Sequence, residues 1–114
     1  MQQFKAFLMQ QFAASKSKRP TCLIIDDSFV DRRLMTKVVE RSFSEMQIKI
    51  AKTLQSAREV LSSQEISLIL LDNGLPDGNG ADFVLELAEN PKLKNIPVIM
   101  VSDWPTPFMG AKAT

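Results

Sequence analysis

The sequence predicts an α/β fold: a parallel sheet wrapped by helices, in one domain that follows an extra N-terminal helix. Short apolar runs alternate along the chain with longer stretches of helical period. Three of those runs, residues 22–25, 67–71 and 97–101, are nearly all apolar, as strands covered on both faces should be. Size agrees, because 114 residues of which 45% are hydrophobic fill a single core and leave no room for two full domains.

Residues 2–14 contain no Gly or Pro and set Phe4, Phe7, Leu8 and Phe12 on one helical face. The polar run 15–20, closed by Pro20, cannot continue that helix and reads as a linker, so residues 1–20 form an appendage and residues 21–114 the domain. Residues 22–25 are the first strand. Ser28 followed by Asp31 resembles a capping box, opening a helix that carries Val30, Leu34, Val38 and Val39. Ile48 and Ile50 alternate with polar residues as the second strand, and Ala57, Val60 and Leu61 mark a second helix ending by Ser63. Residues 67–71 are the third strand. The glycines and proline of residues 74–80 read as a loop, with Gly78 and Gly80 serving loop geometry. Phe83, Val84, Leu87 and Ala88 then give the third helix, which stops before Pro91. Residues 97–101 are the fourth strand, and Thr106 with Pro107 looks like the start of another helix.

Composition removes several function classes. Fourteen Lys and Arg against thirteen Asp and Glu leave a net charge of +1, without the electrostatic footprint of a nucleic-acid binder. The chain has no His, so imidazole serves neither as base, nor metal ligand, nor phosphoryl carrier. The single Cys22 cannot form an intramolecular disulfide; it reads as a small buried hydrophobe and fits a reducing compartment, with the cytoplasm expected. Apolar runs such as 68–71 and 98–101 hold four residues each, far below the roughly 20 needed to span a bilayer. Gln2, Gln3, Gln10 and Gln11 interrupt the N-terminal apolar patch, so no signal peptide is expected.

Polar residues collect where a parallel sheet carries its chemistry, beyond the carboxyl ends of strands. Asp26 and Asp27 follow the first strand, Asp72 the third and Ser102 the fourth. Carboxylates held together repel one another, and a hard divalent cation with oxygen ligands relieves that repulsion; Mg²⁺ suits a few carboxylates, a carbonyl and waters. An Asp beside such a cation can attack phosphorus to give an aspartyl phosphate, and Asp72 is the best placed nucleophile.

Asp26-Asp27 after an apolar strand, Asp72 with Leu75-Pro76-Asp77-Gly78-Asn79-Gly80 behind it, and Ser102 after residues 97–101 together resemble the receiver domain of two-component response regulators. The resemblance covers residues 21 to about 103. It implies a doubly wound, flavodoxin-like sheet in the order 2-1-3-4-5 of the family's chemotaxis member, here 2-1-3-4 with strand five missing. It implies that Asp72 accepts phosphate from a histidine kinase or phosphotransfer protein. Asp27, Asp72 and the Gly74 carbonyl would bind Mg²⁺, Asp26 would hold it directly or through water, and Ser102 would turn toward the phosphoryl group and report it to partners.

The chain also departs from the family pattern. The family lysine after a fifth strand, and the aromatic switch residue on that strand, have no counterpart; Lys112 comes too early. Asp103 adds negative charge where the family has a small residue, which should slow phosphorylation. Trp104 and Phe108 serve packing or a partner patch. The N-terminal stripe is expected to cover the sheet face left open without a last helix, within its own chain or across a homodimer. Neither nucleic acid nor membrane is an expected partner. One rival reading is a pseudo-receiver, an interaction or dimerisation module with little or no phosphorylation. Another is a small Asp-nucleophile phosphatase, placed last because those enzymes resemble one another in a second Asp two residues after the first, whereas Asp26 and Asp27 are adjacent.

Overall fold

Four consecutive apolar residues that hydrogen-bond on both sides make a buried central strand, and the chain supplies two of them. In the computed structural model, which describes residues 19–101, these are β1 (Thr21–Ile25) and β3 (Leu68–Leu71), and every residue in them is buried. The remaining elements are α1 (Phe29–Ser42), β2 (Gln47–Ala51), α2 (Leu54–Ser63), β4 (Gly74–Leu75), β5 (Gly78–Asn79), α3 (Gly80–Ala88) and β6 (Val98–Met100). The helix expected over residues 2–14, together with Ser102, Asp103 and the helix start at Thr106, lies outside the described residues.

The sheet is parallel throughout, in the order β2-β1-β3-β6, as the family resemblance implies. Ile24 pairs with Ile50 on one side and Leu70 on the other, and Leu71 pairs with Met100. Alternation along the strands divides the core in two. Leu23, Ile25 and Leu71 face α2 and α3, meeting Leu54, Ala57 and Phe83. Cys22, Ile24 and Leu70 face α1, meeting Met35, Val39 and Met46. No helix among the described residues is long and apolar enough to cross a membrane.

Three details differ from the sequence expectation. The inner face of α1 is built on Met35 and Val39, while Leu34 and Val38 are half-buried and Val30 is 54% exposed. The four-residue ladder Met35, Val39, Phe43 is the one that meets the sheet. Residues 74–80 are not wholly irregular: β4 and β5 form a small antiparallel hairpin, with Gly74 opposite Asn79 and Leu75 opposite Gly78. Finally, β6 is half-buried rather than covered on both faces, because it is the edge of the sheet among the described residues.

Candidate functional site

The carboxyl ends of the central strands are drawn level by two backbone hydrogen bonds just beyond them, one tying β1 to β2 and one tying β3 to β1. The Asp26 N–H donates to the Ala51 carbonyl at 3.0 Å, and the Asp72 N–H donates to the Ile25 carbonyl at 2.9 Å. Asp26, Asp27 and Asp72 each offer a carboxylate oxygen within 4.8 Å of the others. Asp26 is only 2% exposed, Asp27 is exposed and Asp72 is half-buried, so the cluster opens to solvent on one side. Three of the four side chains expected to converge therefore do so, and Ser102 lies outside the described residues, one position past Val101, whose N–H donates to the Leu71 carbonyl at 3.0 Å.

Burial shapes the chemistry of these acids. It pushes the Asp26 carboxyl up to about 6; the Ser28 N–H opposes the shift, and the charges of Asp72, Asp31 and Asp27 add to it. Burial likewise raises Asp72, opposed by backbone N–H groups of Asn73 and Gly74 and reinforced by Asp27 and Asp31. Gly74, two residues past Asp72, thus borders the cluster through its N–H. An assembly of hard oxygen donors with one solvent-facing side, each anion raising the energy of its neighbours, fits a divalent cation that keeps some of its water.

Two acids play parts the sequence did not disclose. Ser28 caps α1 by accepting the Asp31 N–H at 3.3 Å, but the reciprocal half of the expected box is absent. The Ser28 N–H is taken by Asp26 Oδ1 at 2.8 Å, leaving the Asp31 carboxylate to act on Asp26 and Asp72 through its charge. Asp77, which the sequence places only within the 74–80 loop, accepts the Leu54 N–H at 2.8 Å and the Gln55 N–H at 3.0 Å. One sequence signal pointed that way, since the first turn of α2 has no acid of its own.

Glycines hold the loop behind Asp72. A Cβ on Gly80 would stand 2.8 Å from the Asp72 carbonyl oxygen and 2.9 Å from Met100 Cε, so α3 must begin with a residue that has none. Asn79 caps α3, its Oδ1 accepting the Asp82 N–H at 2.8 Å. A cavity of about 610 Å³, lined by Leu61, Ile66, Leu93 and Pro97 among others, lies at the amino ends of β3 and β6, away from the carboxylates.

Residues 22–114 match the Response regulator receiver domain family. The chain belongs to that family. Among curated relatives of this receiver domain, response regulator Rcp1 of Synechocystis sp. is 33% identical over 87 residues, covering 70% of this chain and 59% of Rcp1. A solved structure of MaeR response regulator bound to beryllium trifluoride superposes with a TM-score of 0.68 at 28% identity, covering 82% of this chain and 75% of MaeR. The Mn²⁺-bound form of Rcp1 gives a TM-score of 0.64 at 32% identity, covering 71% of this chain and 63% of that one. This receiver domain spans between 40% and 68% of the length of the first curated relatives it matches.

Proposed function

We propose that this receiver domain is a phosphorylation switch whose phosphoacceptor is Asp72. The observation that carries the proposal is the meeting of Asp26, Asp27 and Asp72 within 4.8 Å at the ends of two paired strands. Asp26, Asp27, Asp72 and the Gly74 carbonyl would hold Mg²⁺. When bound, the cation neutralises charge on the transferring phosphoryl oxygens. The Mn²⁺-bound form of Rcp1 and the beryllium trifluoride complex of MaeR support both parts of the reading.

A carboxylate oxygen of Asp72 attacks the phosphorus of a phosphohistidine on a histidine kinase or phosphotransfer protein. The O–P bond forms as the N–P bond breaks, and the imidazole leaves and takes up a proton from solvent. The 114 residues hold no His, which agrees with a phosphohistidine donor outside this domain. The Asn73 and Gly74 N–H groups hold the Asp72 carboxylate in its attacking orientation, and the buried Asp26 lies on its inner side. Hydrolysis of the acyl phosphate by water then restores the carboxylate and releases inorganic phosphate. Ser102 donates a hydrogen bond to a phosphoryl oxygen and passes its presence to a partner surface. The switch works in the cytoplasm, as a homodimer.

Intact-mass analysis with a small-molecule phosphodonor and Mg²⁺ tests the reading. One added phosphoryl group on the wild-type chain and none on Asp72→Asn is the expected result. An equal gain in both proteins, or none in either, refutes the phosphoacceptor role, and the second result favours an interaction module in its place.

A further inference from the structure

We propose that Asp77 is a positioning residue, which fixes the β4–β5 hairpin so that Gly74 and Asp72 present their oxygens together to the cation. This rests on the phosphoacceptor reading above and adds to it a residue that touches neither cation nor phosphoryl group.

The argument starts at the amino end of α2. A helix begins with N–H groups that have no partner inside it, and they must be satisfied from elsewhere. Thr53 takes one of them locally, its Oγ1 accepting the Ser56 N–H at 3.0 Å. The first two, on Leu54 and Gln55, are taken by the two oxygens of Asp77, which is 23 residues from Leu54 along the chain. The same two N–H groups hold the Asp77 carboxyl below the usual carboxylate range. Beside it, Gly78 lies so close to α2 that a Cβ there would stand 2.8 Å from Leu54 Cδ1, at a φ of +154° that side chains rarely adopt. The tip of the hairpin is therefore seated on α2 by a doubly bonded carboxylate and by close packing of the Gly78 backbone against the Leu54 side chain.

The foot of the hairpin is seated on the phosphoacceptor. The Gly80 N–H donates to the Asn73 carbonyl at 2.7 Å, and Gly80 packs against the Asp72 backbone with no space for a side chain. Between foot and tip there are only two residue pairs, Gly74 with Asn79 and Leu75 with Gly78. A ladder that short does not hold its own shape in water, so its direction is set by what it is tied to at each end. Release of the tip would let Gly74 swing about the Asp72 hinge. The cluster of three carboxylates would survive, but the cation would lose the fixed carbonyl beside it.

The test compares Mn²⁺ affinity, measured by calorimetry on the full chain, for wild type, Asp77→Ala, Asp77→Asn and Thr53→Ala, with a thermal melt of each. Thr53→Ala loosens the same helix end without touching the hairpin. The expected result is about a tenfold loss of affinity in Asp77→Ala, the scale on which removal of an outer partner of a metal ligand acts. Asp77→Asn, which keeps one acceptor oxygen, should lose less, and Thr53→Ala should bind as wild type does although its melt also falls. If Asp77→Ala, or Asp77→Asn should the alanine variant not fold, binds Mn²⁺ as tightly as wild type, the proposal is wrong. It is equally wrong if Thr53→Ala loses the same factor, since fraying of α2 would then be the cause. Absence of Mn²⁺ binding by the wild type itself overturns the underlying phosphoacceptor reading, and the positioning role falls with it.

Discussion

Replacement of Asp26 by Asn should make the metal-free protein more stable. Asp26 is 2% exposed and burial lifts its carboxyl from 3.8 to about 6, so the folded state above that pH carries an ionised acid that water would solvate better. An acid whose folded pKa is raised favours the fold at low pH and loses that contribution as pH rises through the folded value. The loss therefore falls between about pH 4 and pH 6, and at about pH 8 it is complete. A shift of about two units corresponds to about 3 kcal/mol, which for a domain of this size is about 10 °C or more in melting temperature. Asn removes the charge yet keeps an oxygen at the position of Oδ1 to accept the Ser28 N–H, so little is given back. The assay is a pair of denaturant titrations, wild type and Asp26→Asn, in chelator, at about pH 8 and about pH 4.5, where linkage leaves a gap of only about 1 kcal/mol. A variant no more stable than wild type at the higher pH, or a gap that does not narrow at the lower one, refutes the reasoning. Added Mg²⁺ should then stabilise the wild type more than the variant, because the variant has lost a ligand.

Three further outcomes follow from packing. Gly80→Ala places a Cβ 2.8 Å from a backbone oxygen that cannot step aside, and should cost about 1–3 kcal/mol by thermal or chemical unfolding. Glu86→Gln should change stability by less than about 1 kcal/mol, because the Arg58–Glu86 pair that joins α2 to α3, although as short as 2.7 Å, is 40% and 47% exposed. Deletion of residues 1–15 should lower the melting temperature and convert a sedimenting dimer to a monomer, since the Phe4, Phe7, Leu8, Phe12 stripe is the proposed cover of the open sheet face; monomeric sedimentation of the full chain with an unchanged melting temperature on deletion would remove that role from the segment.

The central strands and the acids at their ends were legible because each depends on a few adjacent residues. A run such as Leu68 to Leu71 has one stable environment, and an Asp after it has nowhere to go but the sheet's carboxyl edge. Met35 was harder to place, since flexible methionines line a helix without the regular spacing that Val and Leu give, and only the packed sheet shows which face turns inward. The β4–β5 hairpin has two residues per strand, too few for any periodicity to appear. Asp77 could be placed in the 74–80 loop, but its partners sit on a helix whose distance from it is set by the fold and not by the chain. The role of Asp31 turned on a competition for one N–H, which Asp26 wins.

The lone thiol of Cys22 gives this protein a built-in gauge of its own opening. It sits at 0% exposure on β1, with backbone pairing to Ile48 on one side and Leu68 on the other. Burial pushes the thiol up to about 12, so at neutral pH the reactive thiolate is scarce even before access is considered. Its side chain lies in the core layer beneath α1, with Met35 and Val39, so α1 must lift from the sheet before a reagent reaches it. Alkylation of Cys22 under native conditions therefore counts openings of the α1 face of the core, and a change in that rate on adding Mg²⁺ or a phosphodonor reports how tightly that face is closed, without any engineered label.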